Sequence, residues 1–174
     1  YSITSGNWTW IGGSTNANVN GVYGTVNVTV PSNQPGARAN GVSWRDLSGN
    51  FWLFGGDGFD GSSPTKSYLN DLWVYSIGTG VWTWKGGSNL ITQTGVYGTQ
   101  GVASGTNMPG ARMGAYSWAD GIGNLWLSGG DGIGSVAATV GGLSDLWKYN
   151  VTNSEWMWVN GPSLTSLPSI YGSQ

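Results

Sequence analysis

The apolar residues of this chain come in short runs bounded by Gly, Asn, Asp and Pro, and helical spacing is missing throughout. Runs of that kind between turn formers predict strands. In the first stretch they fall at 39–45, 50–55, 70–76 and 81–85, and the same pattern returns at 113–119, 124–129, 144–150 and 155–159. Phe51-Trp52-Leu53-Phe54 is apolar on both faces, as in an interior strand covered from two sides. Trp82-Thr83-Trp84 alternates, which puts two indoles on one face. The links Asp46-Leu47-Ser48-Gly49 and Ile77-Gly78-Thr79-Gly80 carry hairpin-turn chemistry, so each set of strands reads as an antiparallel meander.

The pattern repeats at a fixed offset of 74 residues without a gap. Tyr1 returns as Tyr75 and Tyr149, Pro35-Gly36-Ala37-Arg38 as Pro109-Gly110-Ala111-Arg112, and Gly55-Gly56-Asp57-Gly58 as Gly129-Gly130-Asp131-Gly132. A period of this size means a unit that buries its apolar face only against its neighbours. The expected organisation is a partial repeat at 1–37 (third and fourth strands of a preceding unit, then a long link), a first full unit at 38–85, a link at 86–111, a second unit at 112–159, and the start of a further link at 160–174.

A double glycine closing the second strand, followed by a Tyr seven positions before a Trp, resembles the kelch repeat. Here those residues are Gly55, Gly56, Tyr75 and Trp82, then Gly129, Gly130, Tyr149 and Trp156, with Tyr1 and Trp8 in the leading part-copy. The pattern is similar to the Trp-rich, long-period kelch repeats of bacterial secreted proteins. That resemblance implies an all-β fold of kelch-like β-propeller blades, each a four-stranded meander, with two full blades and a partial repeat in this chain. The usual kelch period is about 50 residues. The surplus here sits at 57–69 and at 86–111, segments expected to emerge at one end of the meander and to carry recognition.

Composition narrows the function. A net charge of −2 with only six basic residues, scattered, argues against nucleic acid or an anionic membrane as partner. Without Cys or His the chain offers no thiolate or imidazole ligand and no near-neutral base. No apolar run approaches the ~20 residues of a membrane helix. Abundant Asn, Thr, Ser and Gly with few charges point to an extracellular or cell-surface protein, and no cofactor is implied.

Candidate ligand-binding loop residues are Asp57, Asp60, Tyr68, Tyr97 and Asp131. Paired carboxylates can serve glycoside hydrolysis, but these recur once per unit whereas a catalytic site is assembled once; the expectation is that they cap turns or accept from backbone N–H groups. Calcium at Asp57 and Asp60 is disfavoured because Gly134 replaces Asp60 in the second unit. Arg38 and Arg112 are expected to pair with a repeat carboxylate such as Asp57 or Asp131. Gly95-Val96-Tyr97-Gly98-Thr99 repeats Gly21-Val22-Tyr23-Gly24-Thr25 and returns weakly at Ile170-Tyr171-Gly172-Ser173; its Tyr either plugs a gap between units or forms a stacking surface.

The resulting expectation is a non-catalytic repeat scaffold that binds a protein or glycan through long loops. Its further partners would be kelch-like blades, of the same parent chain or of identical subunits. Two alternatives stay open: a structural protein assembling through bare blade faces, and a propeller enzyme acting on carbohydrate.

Overall fold

The fold was described from a computed structural model, over residues 1–168. It is all-β, and no helix occurs among the described residues. Two antiparallel, blade-like sheets follow one another along the chain. The first contains β1 (Arg38–Ala39), β2 (Val42–Arg45), β3 (Phe51–Gly58), β4 (Ser67–Ser76) and β5 (Val81–Gly86). The second contains β6 (Ala103–Ser104), β7 (Arg112–Met113), β8 (Tyr116–Ala119), β9 (Leu125–Ile133), β10 (Val140–Asn150) and β11 (Glu155–Asn160). β1 and β2 both pair with β3, and β7 and β8 with β9, so each pair is one kinked first strand and each sheet is a four-stranded meander at heart. The kink falls at Asn40 (φ 55°) and at its counterpart Gly114 (φ 64°), residue types that tolerate the left-handed region.

The middle strands run longer than the apolar pattern suggests. β3 continues through the double glycine to Gly58, and β4 starts at Ser67 rather than Asn70. The register shifts between Phe54 and Gly56, which marks a β-bulge. Gly55 and Gly56 sit at φ 62° and 107°, and a Cβ on Gly55 would lie 2.7 Å from the Arg112 carbonyl oxygen and 2.9 Å from that of Leu69. Glycine is required there by both conformation and space.

The sheets stack face to face. Val42, Trp44, Trp52, Phe54 and Leu72 of the first pack on Leu125, Leu127, Trp147, Tyr149 and Trp156 of the second. Trp52 meets Tyr149 at 5.5 Å between ring centroids, and Phe54 meets Trp156 edge-on at 5.6 Å. The Trp44 indole N–H donates to the Trp126 carbonyl at 2.9 Å, which ties β2 of the first sheet to β9 of the second.

The link between the sheets is ordered and belongs to the second. β6 pairs with β11 through Trp156↔Ser104 and Met157↔Ala103, so a segment of the link covers the outer strand's edge. A bridge between Val96 and Met108 closes the link on itself.

The partial repeat departs from expectation. Residues 1–11 form no strands beyond one bridge, Ser2↔Asn7, which reproduces the pairing Ser76↔Val81 at the tip of β4–β5. The Tyr1–Trp8 contact (5.3 Å) likewise copies Tyr75–Trp82 (5.2 Å) and Tyr149–Trp156 (5.0 Å). The hairpin tip folds on local information, but with no second strand beside it Trp8 and Trp10 stay exposed. The weak repeat at Ile170-Tyr171-Gly172-Ser173 lies outside the described residues.

Candidate functional site

The most concentrated polar chemistry is a buried cluster built once per sheet. Arg112 forms a bidentate pair with Asp145, its Nη1 and Nη2 reaching Oδ1 and Oδ2 at 2.6 and 2.8 Å. Asp145 also accepts from the Tyr97 hydroxyl at 2.6 Å and the Trp147 indole at 2.8 Å. Arg112 also donates from Nε to the carbonyl of Gly110 (3.0 Å) and from Nη1 to that of Gly129 (2.9 Å), the latter at the bulge. In the first sheet Arg38, Asp71, Tyr23 and Trp73 repeat the arrangement: Arg38 reaches Asp71 at 2.6 and 2.7 Å, and Tyr23 and Trp73 each donate at 2.7 Å.

The expected partners of the arginines are therefore corrected: they are Asp71 and Asp145, not Asp57 and Asp131. The register gives the reason. Asp57 lies opposite Ala39 and Asp131 opposite Met113, one position from each Arg. Side chains alternate along a strand, so those carboxylates point to the other face.

Burial opposes ionisation of Asp145, yet Arg112, Tyr97 and Trp147 together hold its carboxyl below the ordinary range. The Tyr97 phenol is pushed up, by burial first and then by Asp145. Each group is thereby fixed in the protonation state it has at neutral pH. A satisfied buried network of this kind specifies geometry.

The loop candidates separate into two sets. Asp57, Tyr68 and Asp131 come together at the β3–β4 end: Tyr68 faces Asp57 in register, and its hydroxyl donates to Asp131 across the sheet boundary at 2.6 Å. That hydrogen bond is the main cause that raises the Tyr68 phenol. Lys66, exposed, pairs with Asp57. Sequence reading missed Lys66; the usable signal was a rare cation inside the surplus segment, unmatched in the second unit, where Val140 occupies the position.

Asp60 and Tyr97 fall elsewhere. Asp60 is buried and accepts from the backbone N–H groups of Ser62 (2.7 Å), Ser63 (2.5 Å) and Ile91 (2.9 Å), which ties the β3–β4 loop to the link. Those donors outweigh burial and lower its carboxyl. Tyr97 lies in the core between the sheets, with Trp147 at 4.8 Å and Trp158 at 5.3 Å, as the plug reading requires.

Two more aspartates organise the first hairpins. Asp46 accepts from Asn50 and from the Trp52 indole, and Asp120 from Asn124 and Trp126 in the same way. Among the described residues no group of three or more His, Cys, Asp or Glu is placed to hold a metal, and no helix is long and apolar enough to cross a membrane. Compared with models of known protein families and with curated proteins, the chain matches none.

Proposed function

We propose that the chain is a non-catalytic repeat scaffold made of kelch-like β-propeller blades, extracellular or at a cell surface, which recognises a glycan or protein through the segments at the β3–β4 end. The observation that carries this reading is the repetition of the buried Arg–Asp–Tyr–Trp cluster. The charges that recur with the period are Arg38, Arg112, Asp71, Asp145, Asp46, Asp120, Asp57 and Asp131. Six of the eight are held in internal hydrogen bonds that close a blade. The groups left at the surface, Asp57 with Lys66 and Tyr68 with Asp131, lie at the end where the long segments emerge. A phenol, a cation and carboxylates suit hydrogen bonding to a polyhydroxylated ligand.

A glycan array run beside a reducing-sugar assay tests the proposal. Binding without sugar release is expected; Lys66→Ala removes it while leaving thermal unfolding nearly unchanged, and Tyr68→Phe, which keeps the ring but loses the hydroxyl, removes it too. Release of reducing sugar, or binding indifferent to both substitutions, overturns it. The bare sheet faces favour a second reading, assembly between copies.

A further inference from the structure

We propose that the outer face of the second sheet docks the opposite face of the first sheet of another copy of this chain, head to tail, repeating the packing between the two sheets within one copy. The inference rests on the blade reading and is independent of ligand binding at the loops.

The internal interface supplies the template. It is made by two different faces, one from each sheet, and the period of 74 residues places both faces on both sheets. Among the described residues, each copy therefore carries one pair of faces that meets internally and one pair left open. On the first sheet's bare face, Phe51 is 49 % exposed, whereas its counterpart Leu125, at the interface, is at 0 %. On the second sheet's bare face, Tyr116 is 78 % and Trp118 45 % exposed, against 8 % and 5 % for Val42 and Trp44. Exposed aromatic rings in one continuous sheet face are a recognised mark of an interaction surface.

Most of the template's apolar positions are retained. Trp118, Trp126 and Leu146 stand where Trp44, Trp52 and Leu72 make the internal contact, and Phe51, Leu53, Tyr75 and Trp82 stand where Leu125, Leu127, Tyr149 and Trp156 receive it. The Trp44 indole bonds the Trp126 carbonyl internally. Trp118 is the equivalent donor toward the Trp52 carbonyl of a second copy. On the second sheet's face two apolar positions become polar: Ser128 replaces Phe54, and Lys148 replaces Val74 with its ammonium 5.8 Å over the Trp126 ring. These make the contact between copies weaker than the internal one, so assembly depends on concentration. The N-terminal hairpin does not cover the receiving face, since residues 1–18 are exposed throughout and Phe51 is half bare. Because the two faces are unlike, the contact is heterologous, and it generates a ring or a filament according to whether the rotation closes.

Sedimentation velocity on the 174-residue chain over a range of concentrations is expected to show mass rising beyond the monomer. Trp118→Glu and Phe51→Glu alter one face each at exposed positions, and each alone is expected to hold the chain as a folded monomer by thermal unfolding. Mixed in equal amounts, the two variants are expected to form a dimer and nothing larger, because one intact face of each kind remains. Tyr116→Glu replaces Trp118→Glu should the latter unfold. A wild type that stays monomeric, a single variant that still assembles, or a mixture that stays monomeric each overturns the proposal. Glycan binding lost with assembly intact would instead count only against the loop reading.

Discussion

At the scale of residues, the arginine–aspartate pairs decide stability. Arg112 and Asp145 are both buried, and removing one partner of such a pair strands the other's charge at a cost of about 3–5 kcal/mol. Tyr97→Phe keeps the ring packing and takes one hydrogen bond from Asp145, so its loss should be about 1–3 kcal/mol. Denaturant unfolding of the variants ranks them. The pH dependence follows from the same groups. Asp145 is held below its ordinary value, so its contribution is complete above about pH 4, the unfolded value, and disappears as pH falls through the lower folded one. Tyr97 is shifted the other way, so stability falls again as pH rises past about 10, where the unfolded phenol ionises. A melting curve flat between about pH 5 and 9 and falling on both sides is expected. That Arg38 and Arg112 pair with repeat carboxylates was legible from recurrence; which carboxylates was not, because facing depends on register across a bulge.

At the scale of elements, the double glycine does two things that its sequence pattern does not show. It lets β3 bulge, and it turns a carbonyl toward the arginine of the cluster, Gly55 to Arg38 at 3.0 Å and Gly129 to Arg112 at 2.9 Å. Gly55→Ala should therefore destabilise by about 1–3 kcal/mol through backbone strain, with the added Cβ crowding the carbonyls of Arg112 and Leu69. Gly78→Ala is the control: it sits in a hairpin turn with nothing nearer its Cβ position than 3.9 Å. Strand identity and order were legible in turn chemistry and alternation, since all the strands expected at 38–85 and 112–159 form. Their ends were not, because Asp57-Gly58 and Ser67-Tyr68 have no apolar pattern and are strand through pairing with each other and, for Asp57-Gly58, with β1. The link at 86–111 likewise has no strand signal at Ala103-Ser104; the open edge of β11 recruits it.

At the scale of the whole molecule, the period becomes a stacking rule. Each sheet is closed internally by its own cluster and externally by its neighbour's aromatic face, and the long link serves the sheet that follows it by inserting Tyr97 into the shared core. The partial repeat shows what happens without the neighbour: a correct hairpin tip forms at Ser2↔Asn7, and its tryptophans remain in solvent. The central claim is that six of the charges recurring with the period, Arg38, Arg112, Asp71, Asp145, Asp46 and Asp120, are structural and act once per sheet. Equilibrium denaturant unfolding of Asp71→Asn and Asp145→Asn tests it most directly. Each variant should lose stability by a similar, large amount, about 3–5 kcal/mol, because each cluster closes one sheet in the same way. Wild-type stability in either variant would contradict the account.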